Sequence, residues 1–375
     1  WAESGCSWPA QWNDMKLAVE KRHEQLKHKG FITAAISLAL ALLAGSVIFL
    51  VFGANPLTAY RFMVSGALGS GYGLSEVVVK SIPLMMTGLA VTLAATMLLW
   101  NIGAEGQFVC GALGGTWAAL YLTPGWPEPV VLPATIACGM AAGALWAMIP
   151  AVLKALWRVS EILTTLLLNY VAIIIMDHLY FGPWRDPEGF GFPGTATLPD
   201  AALMPRFFGT RIHLGLVLVI GFVVLLHVVL KRSKWGYTVR VIGQGPEAAR
   251  YAGLNVKRQI LIVMAMSGAL AGLAGMAEVS AIHYRLQEGV SVGYGYDGII
   301  VACLAGLRPA RVPAFALILG ALIVGAEQLQ TAMQLPASIA QVLEGALLLG
   351  FLASEALSAY RIRVVRPATR PIGST

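Results

Sequence analysis

Long apolar segments alternate with short polar stretches along most of the chain. Windows of about 20 apolar residues, the length that a helix needs to cross a ~30 Å hydrocarbon core, recur from residue 31 to residue 354. They predict ten membrane spans, at 31–52, 77–99, 102–122, 130–152, 161–181, 213–231, 259–281, 293–307, 312–330 and 336–354. The eighth is short and rich in glycine, so we expect it to be broken or re-entrant. The pattern predicts an all-α polytopic membrane protein.

Composition supports this class. The 375 residues are 57% hydrophobic and 12% charged, whereas soluble domains carry about 25% charge. The four cysteines lack the spacing of a metal site, and we expect small buried hydrophobes at Cys6, Cys110, Cys138 and Cys303. No nucleotide-binding Gly-x-x-x-x-Gly-Lys-Ser/Thr run and no His-Glu-x-x-His run is present. We therefore predict no catalytic residue, no metal site and no directly bound cofactor.

Basic residues cluster on one side of the predicted spans. Of the 26 Lys and Arg residues, 20 fall in the segments 16–29, 153–160, 231–258, 308–311 and 361–370. The positive-inside rule makes that side cytoplasmic, together with both chain termini. The net charge of +7 therefore reflects orientation in a membrane, and we predict no nucleic-acid partner.

The predicted spans divide the chain into three parts. Residues 1–30 form a cytoplasmic segment, 31–354 a transmembrane domain with a cytoplasmic loop at 232–258, and 355–375 a cytoplasmic tail. Lys16–Lys29 is expected to be a solvated helix. Trp1–Asp14 lacks the features of a signal peptide, so we expect an upstream translation or cloning artefact, with Met15 as the start.

Two outer loops stand out. Gly53–Ser75 contains Pro56–Phe62, which is expected to be a short helix lying along the membrane interface. Gly182–His213 is long and rich in proline, glycine and aromatic residues. Loops of this length are usually functional or mobile. Two alternatives stay open for it, a docking surface for an extracytoplasmic binding protein and a plain connection.

The hydrophilic stretch Gly243–Arg258 interrupts the apolar pattern between two spans. Pro246 suits the first position of a helix, Glu247 lies where a helix N-terminus favours negative charge, and Gly253 offers a left-handed stop. The expected helix has two turns and is roughly 10 Å long. Small residues let the groove of another protein approach its backbone: Ala248, Ala249 and Ala252.

This stretch resembles a known motif. Glu247-Ala248-Ala249, followed after three residues by Gly253, resembles the EAA loop of ATP-binding-cassette (ABC) importer permeases, whose coupling helix docks on a cytoplasmic ATPase. The family's later Leu-Pro element is missing, as in the branch that serves ribose, branched-chain amino acids and nucleosides. The alternative is an ordinary loop helix. The resemblance implies these ATPase-coupling residues: Gly243, Pro246, Glu247, Ala248, Ala249 and Gly253.

Two further stretches resemble the same branch. Trp100–Phe108 is similar to its Asn-Ile-Gly-x-Glu-Gly-Gln signature, and Ser160–Tyr170 is similar to a run of the nucleoside permeases. Polar residues in membrane helices face protein or a water-filled path. The candidate residues of a translocation path are Asn101, Glu105, Gln107, Thr165, Asn169 and Asp297.

Structural roles remain open for these candidates. Glu105 could instead belong to a capped cytoplasmic turn, paired with a basic residue. Asp297 could instead cap the start of its own helix. Thr165 and Asn169 have the alternative of joining helices. Small-residue steps at Gly268, Gly272 and Gly275, repeated at 111–115 and 139–143, predict close helix packing without substrate contact.

The resemblance implies a function and its partners. It implies the permease subunit of an ATP-driven importer of nucleosides, in a bacterial-type cytoplasmic (inner) membrane, with a fold similar to the vitamin B12-type importer. The implied partners are a second permease, similar or identical, an ATPase with two cassettes that uses the ATP, an extracytoplasmic lipoprotein, the substrate and membrane lipid. The alternatives are ribose or another sugar, or an ion-coupled carrier that uses Glu105, Asp297 and Glu344.

Overall fold

The computed structural model describes residues 16–21, 29–207, 209–336, 338–339, 341–343, 345–346, 348–350, 353 and 360–365. Side chains are described between Ala39 and Ala353. The expectations for Trp1–Asp14, for Glu344 and for the tail beyond Val365 lie outside these ranges.

Helices make up most of the described chain. They are α1 (Lys29–Val51), α2 (Pro56–Leu68), α3 (Gly71–Ala95), α4 (Ala104–Trp117), α5 (Glu128–Trp157), α6 (Glu161–Phe181), α7 (Gly215–Arg232), α8 (Lys234–Gln244), α9 (Pro246–Tyr251), α10 (Val256–Glu278), α11 (Tyr294–Leu304), α12 (Val312–Met333) and α13 (Gln341–Gly350). Wider π turns at Ala118–Leu122 and Val279–His283 extend α4 and α10, and 3₁₀ turns cover Asp200–Ala202 and Pro309–Arg311.

Each of the ten predicted windows contains a helix. Within the described ranges, six helices are long and apolar enough to cross a membrane: α3, α5, α6, α7, α10 with its π turn, and α12 with the 3₁₀ turn before it. The pair α1 and α2 counts as a seventh span if its 115° bend lies within one crossing. The all-α polytopic class is confirmed, while the number of ten spans remains a prediction. α11 is short, as expected for the glycine-rich window.

The larger of two compact units comprises Gly45–Glu344. Two helices lie at its centre, because α10 packs against α3, α4 and α5, and α3 also packs against α11 and α12. The most apolar window of α3 is 89% buried, whereas that of α6 is 22% buried and that of α7 is 28% buried. α6 and α7 therefore form the periphery and present apolar faces outward.

The other unit comprises Trp1–Ala44 and Gly345–Thr375. It contains a two-stranded antiparallel sheet, in which β1 (Lys16–Lys21) pairs with β2 (Tyr360–Val365). The helix predicted over Lys16–Lys29 is therefore wrong at its start. The physical reason is the partner segment, because Tyr360, Ile362 and Val364 alternate with arginines in the two-residue period of a strand.

The two segments that are predicted to be outer loops make contacts within the chain. α2 begins as predicted at Pro56, and the Asn55 side chain accepts a hydrogen bond from the Leu57 amide at 2.9 Å. Helix α2 buries Ala59, Met63 and Ala67, and it packs against α12. In the long outer loop, the Met204 amide donates to Ser280 Oγ at 3.0 Å. The interfacial position of α2 and the docking role of the loop remain predictions.

Candidate functional site

The hydrophilic loop between α7 and α10 folds into two short helices. α8 begins at the Ser233 cap, whose Oγ accepts from the Gly236 amide at 2.9 Å. Pro246 occupies the first turn of α9, as predicted. Gly253 adopts a φ of +81° and ends the turn that follows α9. The Asn255 side chain then caps α10 by accepting from the Arg258 amide at 3.0 Å.

α9 presents most of its side chains to solvent. Pro246, Glu247, Ala248 and Arg250 are exposed, and Tyr251 is 92% exposed. Glu247 pairs with Arg250 at 2.9 Å on this surface, and exposed pairs of this kind contribute only about 0.5 kcal/mol. Both charges are thus available to a partner at little cost.

Ala249 lies on the opposite side of α9 from the exposed surface. It is 0% exposed and is packed within its own chain. The expectation that all three alanines form one approach face is therefore wrong for Ala249. Helical geometry explains the difference, since Ala248 and Ala252 are one turn apart whereas Ala249 is rotated by about 100° from Ala248. The exposed small residues are Ala248 and Ala252.

Two contacts hold this loop to the adjoining ends of α3 and α10. Gly243 lies directly on the Thr96 carbonyl at the end of α3, where an added Cβ would overlap the backbone. Trp235 Nε1 donates to Gln259 Oε1 at 2.8 Å, which joins α8 to α10. A cavity of about 590 Å³ lies beside α9 and is lined by the ends of α3, α5 and α10. The loop is therefore attached to α3 and α10 through α8, and the cavity lies beside Pro246, Glu247 and Arg250 of α9.

The predicted path residues belong to a buried hydrogen-bond network. Asn101, in the turn between α3 and α4, donates to Gln107 Oε1 and to Ser267 Oγ, both at 2.8 Å. Gln107 returns a hydrogen bond to Asn101 Oδ1 at 2.9 Å. Ser267 donates to the Ala90 carbonyl at 2.7 Å. The network thus joins α3, α4 and α10 through polar groups that are satisfied within the chain.

Asn169 extends this arrangement to α6 and α11. Its Oδ1 accepts from the Gly106 amide at 2.8 Å. Its Nδ2 donates to the Ile102 carbonyl at 2.9 Å and to the Tyr296 hydroxyl at 3.2 Å. Thr165, one turn before Asn169, donates to the Glu161 carbonyl at 2.6 Å. The polar stripe of α6 therefore faces protein.

Glu105 caps α11 from the first turn of α4. Its Oε1 accepts from Ser291 Oγ at 2.5 Å and from the Gly293 amide at 3.2 Å, and its Oε2 accepts from the Gly295 amide at 2.6 Å. A carboxylate at a helix N-terminus satisfies free amides and complements the helix dipole. A basic partner, one of the two alternatives for Glu105, is therefore not found among the described residues, and Glu105 caps the start of α11. Capping by Asp297 stays a prediction.

Burial separates the candidate path residues into two groups. Asn101, Glu105, Gln107, Thr165 and Asn169 are each at most 1% exposed. Asp297, on the first turn of α11, is half-buried, as is the neighbouring Tyr296. The structure brings the buried five together with Tyr296 around the α4–α6–α11 contact.

Three further acids at or near the apolar helices have partners within the described chain. Glu278 lies 3.7 Å from His283 Nε2 on the next turn of the same helix. Glu327 on α12 pairs with Lys80 on α3 at 3.3 Å. Lys154 pairs with Glu161 at 2.6 Å across the turn between α5 and α6.

Sequence reasoning missed three members of the network: Ser267, Ser291 and Tyr296. Ser267 begins the small-residue run of α10, and its hydroxyl gave no local signal beyond that of a packing residue. Their partners lie far along the chain, since Ser267 is 166 residues from Asn101. Pairing over this distance depends on how the helices pack.

Glycines let the central helices touch through their backbones. A Cβ on Gly272 would lie 2.5 Å from the Gly139 carbonyl of α5. A Cβ on Gly268 would overlap Gly143 of α5, and a Cβ on Gly275 would overlap the Phe108 carbonyl of α4. The small-residue steps of α10 and α5 thus face each other, as close packing through small residues requires.

Known proteins resemble this chain over most of its length. A glucose ABC transporter permease protein of Haloferax volcanii is 33% identical and covers 94% of each chain. A guanosine ABC transporter permease protein of Bacillus subtilis is 30% identical over 91% of this chain and 97% of its own. A nucleoside ABC transporter permease protein of Lactococcus lactis is 28% identical over 86% and 90%.

A solved chain from an inward-facing transporter described as metal-chelate type aligns with 87% of this chain and 99% of its own length, at 17% identity and a TM-score of 0.42. The sequence model of the family described as branched-chain amino acid transport system / permease component matches residues 73–352. That match includes every described helix from α4 to α12 and the whole α8–α9 loop. The chain belongs to this family of ABC transporter permeases.

Proposed function

We propose that this chain is a permease subunit of an ABC importer and that a separate ATPase docks on α9. The observation that carries the proposal is the exposure of α9, a short helix between two spans on which Glu247, Ala248 and Arg250 point away from the chain. The family supports ATP hydrolysis by another chain. The positive-inside count supports a cytoplasmic position for α9 and for the ATPase.

The contacts of the loop support a route for coupling. A push on α9 is carried to α3 through the Gly243–Thr96 contact and to α10 through the Trp235–Gln259 hydrogen bond. α10 holds Ser267, which bonds to Asn101 in the buried network. We propose that this network transmits the motion of α9 to the α4–α6–α11 contact. Half-buried Asp297 and Tyr296 are our candidates for facing the path there, and the five buried residues form its wall.

The full transporter is proposed to contain further subunits. The outward apolar faces of α6 and α7 support burial in lipid or against a second permease. The importer assignment implies an extracytoplasmic lipoprotein, for which exposed Phe190 and Phe192 in the outer loop are candidate contacts. The location proposed is a bacterial-type cytoplasmic membrane.

Nucleosides are the substrate class that we propose. Two of the compared relatives are named for guanosine and for nucleosides, at 30% and 28% identity. The Ser160–Tyr170 stretch, which resembles nucleoside permeases, forms the start of α6 at the network. A sugar is the second candidate, supported by the 33% identity with a glucose permease protein. An ion-coupled carrier has less support, because the chain belongs to a family of ABC transporter permeases.

The test is uptake of labelled guanosine, uridine, ribose and glucose by cells in which the gene is deleted and restored. We expect restored guanosine and uridine uptake that stops when ATP is depleted with the ion gradient held. Ala248→Trp, on the exposed side of α9, should abolish uptake and co-purification of the ATPase. Lys234→Trp is the matched control on the same cytoplasmic loop, and it should leave both intact.

Different outcomes separate the parts of the proposal. Restoration of sugar uptake alone would keep the importer and replace the substrate class. Uptake that survives Ala248→Trp and follows an ion gradient would contradict docking on α9 and favour a carrier.

A further inference from the structure

A second cavity lies on the cytoplasmic side, away from α9. It measures about 570 Å³ and is lined by the cytoplasmic ends of α3 and α7, by the middle of α8 and by the turn between α11 and α12. All the charged residues of its lining are basic: Lys231, Arg240, Arg308 and Arg311. His227 also lines the cavity. This composition distinguishes it from the cavity beside α9, whose lining includes Glu247.

The four basic side chains have no described counter-charge. Within the described ranges, none of them forms an ion pair or a side-chain hydrogen bond, although other basic residues on this side, Lys154 and Arg250, each have a carboxylate partner. Like charges on one cavity repel one another over the ~8 Å screening length of physiological salt. An anion that enters the cavity would therefore be attracted by all four.

Rigid elements hold the charges in place. Lys231 is on the last turn of α7, and Arg240 is in the middle of α8. Arg308 precedes the 3₁₀ turn Pro309–Arg311 in extended backbone, and Arg311 is the last residue of that turn. Both residues line the cavity. The chain thus presents its cations toward one space from three directions.

An apolar stripe leads along α7 to this cavity. Val217, Val224 and Val228 are exposed, with Val224 at 58%. The successive steps from Val217 through these valines to Lys231 are seven, four and three residues, so all four lie on one face of α7. By the positive-inside rule, the Lys231 end of the stripe is at the cytoplasmic boundary. A ligand that matches the whole surface has a negatively charged head and an apolar tail.

We propose that this cavity is a binding site for an anionic phospholipid of the cytoplasmic leaflet. The phosphate lies among Lys231, Arg240, Arg308 and Arg311, and an acyl chain lies along the exposed stripe of α7. Basic pockets between membrane helices on the cytoplasmic side are suited to anionic head groups. A free phosphate would contact only the basic residues of the cavity. An acidic protein surface would leave the exposed valines of α7 without a contact.

Lipid binding to the full chain in detergent tests the proposal. Native mass spectrometry would compare phosphatidylglycerol with phosphatidylcholine of the same acyl chains. We expect the chain to prefer phosphatidylglycerol by about tenfold or more. The triple variant Lys231→Gln/Arg308→Gln/Arg311→Gln should lose this preference. Its control is Arg232→Gln/Lys234→Gln/Arg258→Gln, which removes three charges from the same side outside the cavity and should keep it.

Several results would overturn the proposal: equal binding of the two lipids by the unaltered chain, equal loss in the control, or competition by glycerol phosphate as strong as by the lipid. Retained lipid preference in the cavity variant together with loss of the ATPase would assign the surface to a protein partner. Gel filtration would check the fold of each variant, and the single variants Arg308→Gln and Arg311→Gln would replace a triple variant that aggregates. Uptake of substrate is not read out, so the result is independent of the proposed transport function.

Discussion

At the scale of single residues, Glu105 shows how a buried charge is accommodated in this protein. Three donors converge on its two oxygens, two of them backbone amides at the start of α11. A cation is therefore not needed to stabilise the carboxylate in its buried position. The carboxylate instead joins α4 to the start of α11. The N-cap residue of α11 is Gly293, which has no side chain to cap the helix itself.

We predict that Glu105→Leu lowers the stability of the purified protein by about 3 kcal/mol or more, because each buried donor left unpaired costs roughly 1–3 kcal/mol. Glu105→Gln should have a smaller effect, since it keeps the shape and one acceptor. Thermal unfolding followed by intrinsic fluorescence measures both.

The control for this pair is Glu327→Gln, which breaks a partly exposed ion pair with Lys80. Its expected cost is below about 1 kcal/mol. A Glu105→Leu protein as stable as the Glu327→Gln protein would contradict the capping role.

The sequence around Glu105 predicted a turn with polar residues but not the partners of those residues. Local rules connect positions within about four residues along a helix, whereas Ser291 is 186 residues away. The partners of Asn101 and Asn169 were missed for the same reason.

At the scale of elements, α9 was the most predictable and β1 the least. Pro246 and Gly253 act on their own backbone, so local sequence determines the start of α9 and the end of the turn that follows it. β1 forms with β2, more than 300 residues away, and the alternation that reveals it is in the partner. Ala249 shows what local sequence did not predict for this six-residue helix: which of its sides is buried. That side depends on what the helix packs against.

The contact of α10 with α5 gives a prediction at this scale. Gly272→Val should strongly destabilise the fold, because its side chain would overlap the backbone near Gly139 and overpacking costs about 1–3 kcal/mol or more. Gly221→Val on α7 is a matched control, since no atom lies within 4 Å of the Cβ position there.

Thermal unfolding and gel filtration of both purified variants would measure the difference. Equal midpoints for the two valine variants would show that the glycine contact is not required.

At the scale of the whole molecule, the main expectation is the side of the membrane on which each loop lies. Phe190 and Tyr251 are 97% and 92% exposed, and they lie on either side of α7 in the chain. If α7 crosses the membrane once, the two positions face opposite compartments. This result does not depend on whether the chain has ten spans.

We predict that Phe190→Cys reacts with a membrane-impermeant thiol reagent on intact cells. Tyr251→Cys should react only after the membrane is made permeable. Native cysteines would first be replaced to remove background labelling, and each variant must retain uptake. Labelling of both positions from the outside would contradict the orientation inferred from the basic residues.

Composition and periodicity were sufficient for the class of the molecule and for a helix in each window. They were insufficient for the arrangement, because the windows of α3 and α6 have the same mean hydropathy of 1.8 although α3 is central and α6 peripheral. The distinction arises from neighbours, which a hydropathy pattern does not encode.

The hydrogen bond between Trp235 and Gln259 has one more consequence. It closes residues 235–259 into a loop of fixed circumference, with α9 at its far end. We therefore infer that the length of this loop sets the distance between the membrane spans and the ATPase that we propose to dock on α9. Adding one residue to a helix inside it would change that distance by about 1.5 Å, so we infer that the number of residues between the two side chains matters as much as their identity.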